Sequence, residues 1–242
     1  MEGPLFCIDV GNSTVKVAQF SPAGEMLGLE PIEEPEQLLS LTGKRVVYID
    51  TRLEPHWRAR LAEIGAEELS LSRGVPFVSD YTLQLGPERA AQIIAVWESG
   101  KFPAVILSLG TACTIDYIDA GGRHRGGTIT AGIHLRLRAL KEGTGRLPWV
   151  EPQKRALQLG TNTEEAIIAG VVGGFRLELR ARLESLRKQY GDFSIWVTGG
   201  EVELVKDELP ADAIFAPELT LRGVWLWQRF LHTSGGSSLS IL

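Results

Sequence analysis

Cys7–Phe20 reads CIDVGNSTVKVAQF. An apolar run ends on Asp9, breaks at Gly11, presents Asn12, Ser13 and Thr14, and then returns to apolar alternation. The pattern predicts two strands, LFCIDV and VKVAQF, joined by a tight turn, with SPAGEML leading into a third antiparallel strand. Such a turn offers backbone N–H groups and hydroxyls to an anion, because glycine permits close approach and small side chains do not obstruct it. A carboxylate does not welcome phosphate, so Asp9 fits beside this turn when Mg²⁺ lies between the two. Taken alone, the same residues also suit an ordinary hairpin, since Asp, Asn, Gly and Ser are the usual turn formers.

The stretch recurs. Set against Cys7–Gly28, the segment ILSLGTACTIDYIDAGGRHRGG (Ile106–Gly127) repeats a strand, a glycine with small polar residues, a second strand and a glycine turn before a third. The repeat puts Ser108 opposite Asp9 and Gly110 opposite Gly11. It implies a duplicated ββ unit facing itself across a cleft, with one phosphate-type turn in each half.

Between the copies the sequence alternates: PEQLLSL (helix), VVYID (strand), PHWRARLAEIG (helix), PFVSD (strand) and PERAAQIIAVWES (helix, with Pro87 in its first turn). After the second copy, ITAGIHLRLRALKEG and NTEEAIIAGVVGGFRLELRARLESLRKQYG carry helical apolar spacing. SIWVTGG reads as a strand ending in two glycines, EVELVKDEL as a helix, AIFAP as a strand and LRGVWLWQRFL as a last helix. HTSGGSSLSIL (232–242) has the composition of a flexible tail.

Composition bounds the function. In 242 residues, 44% hydrophobic and 23% charged, there is enough apolar material for a full core, and the net charge of −5 gives no basic field for nucleic acid or an anionic membrane. No apolar run approaches the roughly 20 residues that span a bilayer, and the start MEGPLFCIDV lacks signal-peptide character, so the expected location is the cytoplasm. Cys7 and Cys113 lie in apolar runs and read as small buried residues in a reducing compartment. Four scattered histidines and no CxxC or HExxH give no expectation of structural zinc.

Seven motifs in order, DVGNSTVK, LGPERAA, LGTACTIDYID with GGTITAGI, GRLPWVE, LGTNTEEAIIAG, VTGG and PELTLRGVWL, resemble the type III pantothenate kinases of the actin/hexokinase/acetate-kinase superfamily. The likeness covers nearly the whole chain apart from Val46–Ser79 and the tail. It implies an α/β fold of two ribonuclease H-like (actin-like ATPase) domains, each a mixed sheet flanked by helices, over residues 1–102 and 103–231. It further implies ATP, Mg²⁺, a monovalent cation such as K⁺ or NH₄⁺, a homodimer, and phosphorylation of pantothenate, the first step of coenzyme A synthesis. By this resemblance Asp9, Gly11, Asn12, Ser13 and Lys16 form the first phosphate motif, with Asp9 serving Mg²⁺, and Gly110, Thr111 and Ala112 form the second. Gly86 and Arg89 match the ends of the family's GxDR signature, whose arginine binds pantothenate and whose carboxylate acts as general base. Thr163 matches a threonine that contacts pantothenate from the neighbouring subunit, and Gly199 and Gly200 match a TGG near the adenine. Thr163 also reads as a helix N-cap, and the two glycines as a strand-end turn.

Three departures stand out. Glu88, after Pro87, replaces the aspartate of GxDR. Ser108 replaces the aspartate before the second loop, removing a charge at the monovalent-cation site. Ala131–Gly132 stands where the family has Pro-Gly. Tyr81 lies near the family's pantothenate-contacting tyrosine, with two residues fewer before Gly86 and no intervening proline. Three functions fit these residues: a pantothenate kinase adapted to Glu88 and Ser108, a kinase for another small hydroxyl compound, and a catalytically impaired paralogue that binds or regulates. Without the family likeness, Glu88 and Arg89 read as surface charges on a helix's first turn.

Overall fold

The computed structural model describes residues 3–82, 84–155 and 158–233. Two five-stranded sheets organise them. In the first, β1 (Leu5–Val10) pairs antiparallel with β2 (Val15–Phe20), and β2 pairs antiparallel with β3 (Met26–Ile32). On its other side β1 runs parallel to β4 (Arg45–Asp50), which is parallel to the short β5 (Glu67–Glu68). The order is β3-β2-β1-β4-β5, with helices α1 (Pro55–Glu63) and α2 (Pro87–Ser99) following β4 and β5.

Side chains alternate across a strand, so the two faces of this sheet differ. Ile8, Val10, Val15 and Val17 pack on one face with Leu38, Leu41, Trp57 and Leu61. Asp9 and its register partner Lys16 belong to the other face, with Cys7 and Ala18. That placement matters because α2 runs against β4.

In the second sheet β6 (Ala104–Leu109), β7 (Ala112–Ile118), β8 (His124–Ala131), β9 (Ser194–Thr198) and β10 (Ile214–Phe215) take the order β10-β9-β6-β7-β8. Numbered from its own first strand, this is the order of the first sheet, so the duplication read in the sequence holds in topology. Asp9 and Ser108 are the penultimate residues of equivalent strands, and Gly11 and Gly110 the first residues beyond them. Helix α3 (Ile133–Gly143) follows β8, and α4 (Thr163–Ile168) continues through a π-helical turn at Ala169–Gly173 into α5 (Gly174–Tyr190). The expected fold class, two mixed sheets of ribonuclease H-like order flanked by helices, is the one observed.

The chain divides into two compact units. One holds the described parts of Met1–Lys101, Ile118–Gly126 and Glu218–Leu242; the other holds Phe102–Tyr117 and Gly127–Pro217. The last helix, α6 (Leu219–Thr233), therefore groups with the first unit, although it follows the second in sequence. It packs on α2, where Gly223 lets the helices approach: a Cβ there would stand 1.9 Å from the Ala91 carbonyl oxygen. Trp227, fully buried, donates its indole N–H to Gly74 O at 2.8 Å.

Four local expectations change. Pro35–Leu41 is a 3₁₀ helix, whose i,i+3 repeat serves Leu38 and Leu41 as well as an α-helix would. Val202–Leu204 and Lys206–Glu208 are separate 3₁₀ turns, broken at Val205 with φ −132°. PFVSD forms a single bridge, Ser79 with His124, and the parallel strand in that region is Glu67–Glu68. His232 and Thr233 end α6 instead of opening a tail, and residues 234–242 lie outside the described residues. Cys7 and Cys113 are free and buried, as their apolar settings suggest.

Candidate active site

The first unit assembles most of the predicted chemistry. Gly11–Thr14 closes the β1–β2 hairpin, with Gly11 N–H donating to Thr14 O at 3.1 Å. Asp9 and Lys16 are paired across it. The Oδ1 atom of Asp9 is buried and has no hydrogen-bond partner among the described residues. Burial, and then the charge of Glu88, push the Asp9 carboxyl up to about 8 against a smaller lowering by Lys16. An orphaned carboxylate oxygen in a place short of positive charge is what a hard divalent cation fits.

Glu88 comes from the first turn of α2, where Pro87 is preorganised for a helix start and Gly86 is the extended N-cap at φ −62°, ψ 144°. Burial raises the Glu88 carboxyl above its usual range, while a hydrogen bond from Gln92 and the charge of Lys16 act the other way. Gln92 Nε2 donates to Glu88 Oε1 at 3.2 Å and to Thr220 Oγ1 at 3.0 Å. Gln92 escaped the sequence reading; its i,i+4 spacing from Glu88 is the signal that could have found it. The neighbouring Arg89 is buried, which sets aside the surface-charge reading of this helix turn. Its guanidinium lies 4.7 Å from the Tyr81 ring centre, so the structure brings these two predicted substrate residues together. Tyr81 is placed in turn by Ser79, whose Oγ accepts the Tyr81 N–H at 3.0 Å and shares a 2.7 Å hydrogen bond with Nδ1 of the buried His124.

The second unit carries the other glycine loop. Gly110 N–H donates to Ala112 O at 3.3 Å, and Thr111 O accepts from Gly132 N–H at 2.9 Å. A Cβ on Gly132 would stand 1.9 Å from Gly110 O, so only glycine fits there. Gly199, at φ +105°, lies against the backbone of Leu109, where a Cβ would come within 2.2 Å of the carbonyl oxygen; Gly200 faces open space. Ser108 is buried.

Glu201, another residue the sequence reading missed, ties this region together. Its N–H donates to Leu109 O at 2.8 Å, and its buried carboxylate accepts the N–H groups of Ile133 (2.7 Å) and His134 (3.0 Å) at the start of α3. A carboxylate directly after a strand-end TGG gives no sequence signal for this cap, because the partners are 67 and 68 positions away.

Thr163 is exposed at the first position of α4. The N-cap is Asn162, whose Oδ1 accepts from Glu165 N–H at 3.0 Å, so the expected capping role passes to the preceding residue. Thr163 lines an open apolar groove of about 710 Å³ with Arg136, Leu140, Leu147, Ile167 and Val171.

Two sheets of this order, each with a glycine loop after its first strand, place the protein in the actin-like ATPase fold class. A solved structure from Campylobacter jejuni, described as a Baf family transcriptional activator, shares the fold with a TM-score of 0.65 at 21% identity, over 95% of this chain and 98% of that one. The family model for type III pantothenate kinase matches residues 40–182, more than half of the chain. A Type III pantothenate kinase of Bacteroides fragilis is 30% identical over 95% of this chain and 98% of its own length; one of Synechococcus elongatus is 36% identical over 70% and 69%. The chain belongs to the type III pantothenate kinase family.

Proposed function

We propose that this protein uses ATP to phosphorylate pantothenate to 4′-phosphopantothenate, the entry reaction of coenzyme A synthesis. The observation that carries the reading is the partnerless, buried Oδ1 of Asp9 beside the Gly11–Thr14 loop, with Glu88 near enough for its charge to act on that carboxyl, in a member of this family. Asn12, Ser13 and Lys16 of the first loop and Gly110, Thr111 and Ala112 of the second serve the nucleotide's phosphates, with Gly199 and Gly200 at the adenine. Mg²⁺ belongs at Asp9, where it would neutralise charge on the phosphoryl oxygens.

Phosphoryl transfer is mostly positioning and charge neutralisation, so the protein's own groups have defined tasks. Glu88 takes the proton of the pantothenate hydroxyl. A carboxylate raised by burial is a stronger base than an exposed one, and general-base assistance is typically worth about 10²–10⁴-fold. Gln92 holds Glu88 in place. Arg89, steadied by Tyr81, binds the pantothenate carboxylate through a charge-assisted bond.

Thr163, exposed above its apolar groove, contributes to a partner's pantothenate site in a homodimer. With Ser108 in place of a carboxylate, a monovalent cation has only neutral oxygens to bind, so K⁺ or NH₄⁺ contributes little. No helix among the described residues is long and apolar enough to cross a membrane, and the working location proposed is the cytoplasm. ADP release with Mg·ATP and pantothenate, set against other small hydroxyl compounds, tests this reading. Preference for pantothenate supports it, preference for another acceptor redirects it within the kinases, and nucleotide binding with no turnover on any acceptor marks an impaired paralogue.

A further inference from the structure

Three successive carbonyls of the first loop are held from one side. Thr51 donates to Val10 O from both N–H (3.0 Å) and Oγ1 (3.1 Å). Arg52 Nε donates to Gly11 O at 3.0 Å, and Arg52 Nη2 donates to Asn12 O at 3.2 Å.

The segment that supplies these donors is itself fixed. Asp50 ends β4 and is buried; its Oδ1 accepts the N–H groups of Arg52 and Leu53, each at 2.9 Å, and its Oδ2 accepts from Arg58 Nε at 2.8 Å. The tight turn that results leaves Leu53 at φ +58°, a left-handed conformation no other described non-glycine residue adopts. That conformation costs roughly 1–2 kcal/mol, and such costs persist where surrounding structure enforces them. The Arg52 guanidinium lies 5.5 Å from the ring centre of the buried Trp57, which limits where the side chain can go.

A trans peptide points its N–H opposite its carbonyl. Drawing the Gly11 and Asn12 carbonyls toward Arg52 therefore turns the N–H groups of Asn12 and Ser13 to the opposite face, as an anion-binding loop requires. Glu54 Oε1 lies 3.9 Å from Arg52 Nε and offsets part of its charge, so the contribution of Arg52 is chiefly geometric. We propose that Arg52 is a positioning residue that holds the Gly11–Ser13 loop in its phosphate-binding form and thereby sets the affinity for the polyphosphate of a nucleoside triphosphate. The inference rests on reading this loop as the nucleotide's phosphate site. Arg52 lies within Val46–Ser79, which carries none of the seven motifs, although the family model spans it.

The test combines calorimetric binding of Mg·ATP with steady-state kinetics and thermal melting for wild type, Arg52→Ala and Arg52→Lys. Loss of two charge-assisted bonds in Arg52→Ala should raise Kd and KM for Mg·ATP about tenfold, with kcat changed far less and KM for pantothenate unchanged. Arg52→Lys should fall between, because an ammonium keeps the charge without spanning two carbonyls, and it carries the comparison if the alanine variant does not fold. A lowered melting temperature with unchanged Mg·ATP affinity in the folded variants would overturn the inference. Wild type that binds Mg·ATP without turning over pantothenate defeats the proposed function and leaves the binding comparison to decide Arg52. Wild type that does not bind Mg·ATP defeats both.

Discussion

Glu88 stands close enough to Asp9 that its charge adds to burial in holding the Asp9 carboxyl up to about 8. In an unfolded chain the same carboxyl ionises near 3.9, so between about pH 4 and pH 8 the native state retains a proton that the unfolded state has lost. Stability contributed by this group is therefore full below pH 4 and declines as pH rises toward 8. Asp9→Asn, which cannot ionise, should flatten that decline in urea titrations across the range and keep the fold, while abolishing Mg²⁺-dependent turnover. Wild-type activity in this variant would remove Asp9 from the metal site.

Ser108 occupies in β6 the place Asp9 occupies in β1, and it brings no charge. K⁺ or NH₄⁺ should activate the wild type weakly or not at all, and Ser108→Asp should create or strengthen the response. Activity measured with K⁺ against a Tris-only control decides this, and strong K⁺ activation of wild type contradicts it.

The adjacent glycines of the VTGG strand end make different demands. Gly199 combines φ +105° with contact against the Leu109 backbone, so Gly199→Ala should cost on the order of 2 kcal/mol or more and weaken ATP binding. Gly200 faces open space, so Gly200→Ala should stay within about 0.5 kcal/mol. Equal effects in chemical denaturation would mean that the second loop is not braced at Gly199.

Duplication was legible because the two copies share hydrophobic alternation around a glycine turn, and the sheets repeat it in strand order. Helix α2 was legible to the residue, since Pro87 and Gly100, the latter at φ +67°, mark its ends by backbone geometry alone. Glu201 and Arg52 were not, because each acts on backbone groups brought near by the tertiary fold, and a sequence carries no pattern for a side chain that meets a carbonyl 41 positions away. The 3₁₀ segments were misread for a related reason: over so few residues, apolar spacing of three fits both helix types.

Thr163 and the groove beneath it predict assembly. A Cβ on Gly170 or Gly174 would meet nothing within 4 Å, which leaves this helical stretch open to close approach. Sedimentation should give a homodimer, and Thr163→Ala should raise KM for pantothenate without altering that for ATP. A monomer with full activity would exclude a site shared between subunits.

Glu88 decides between an adapted kinase and an impaired one, and formation of 4′-phosphopantothenate by wild type, Glu88→Gln and Glu88→Asp is the measurement that meets the question directly. The account predicts product from wild type, a loss of about 10²–10⁴-fold in Glu88→Gln for want of a base, and a smaller loss in Glu88→Asp for want of reach. Absence of product from wild type that binds Mg·ATP, or equal rates in wild type and Glu88→Gln, would contradict it.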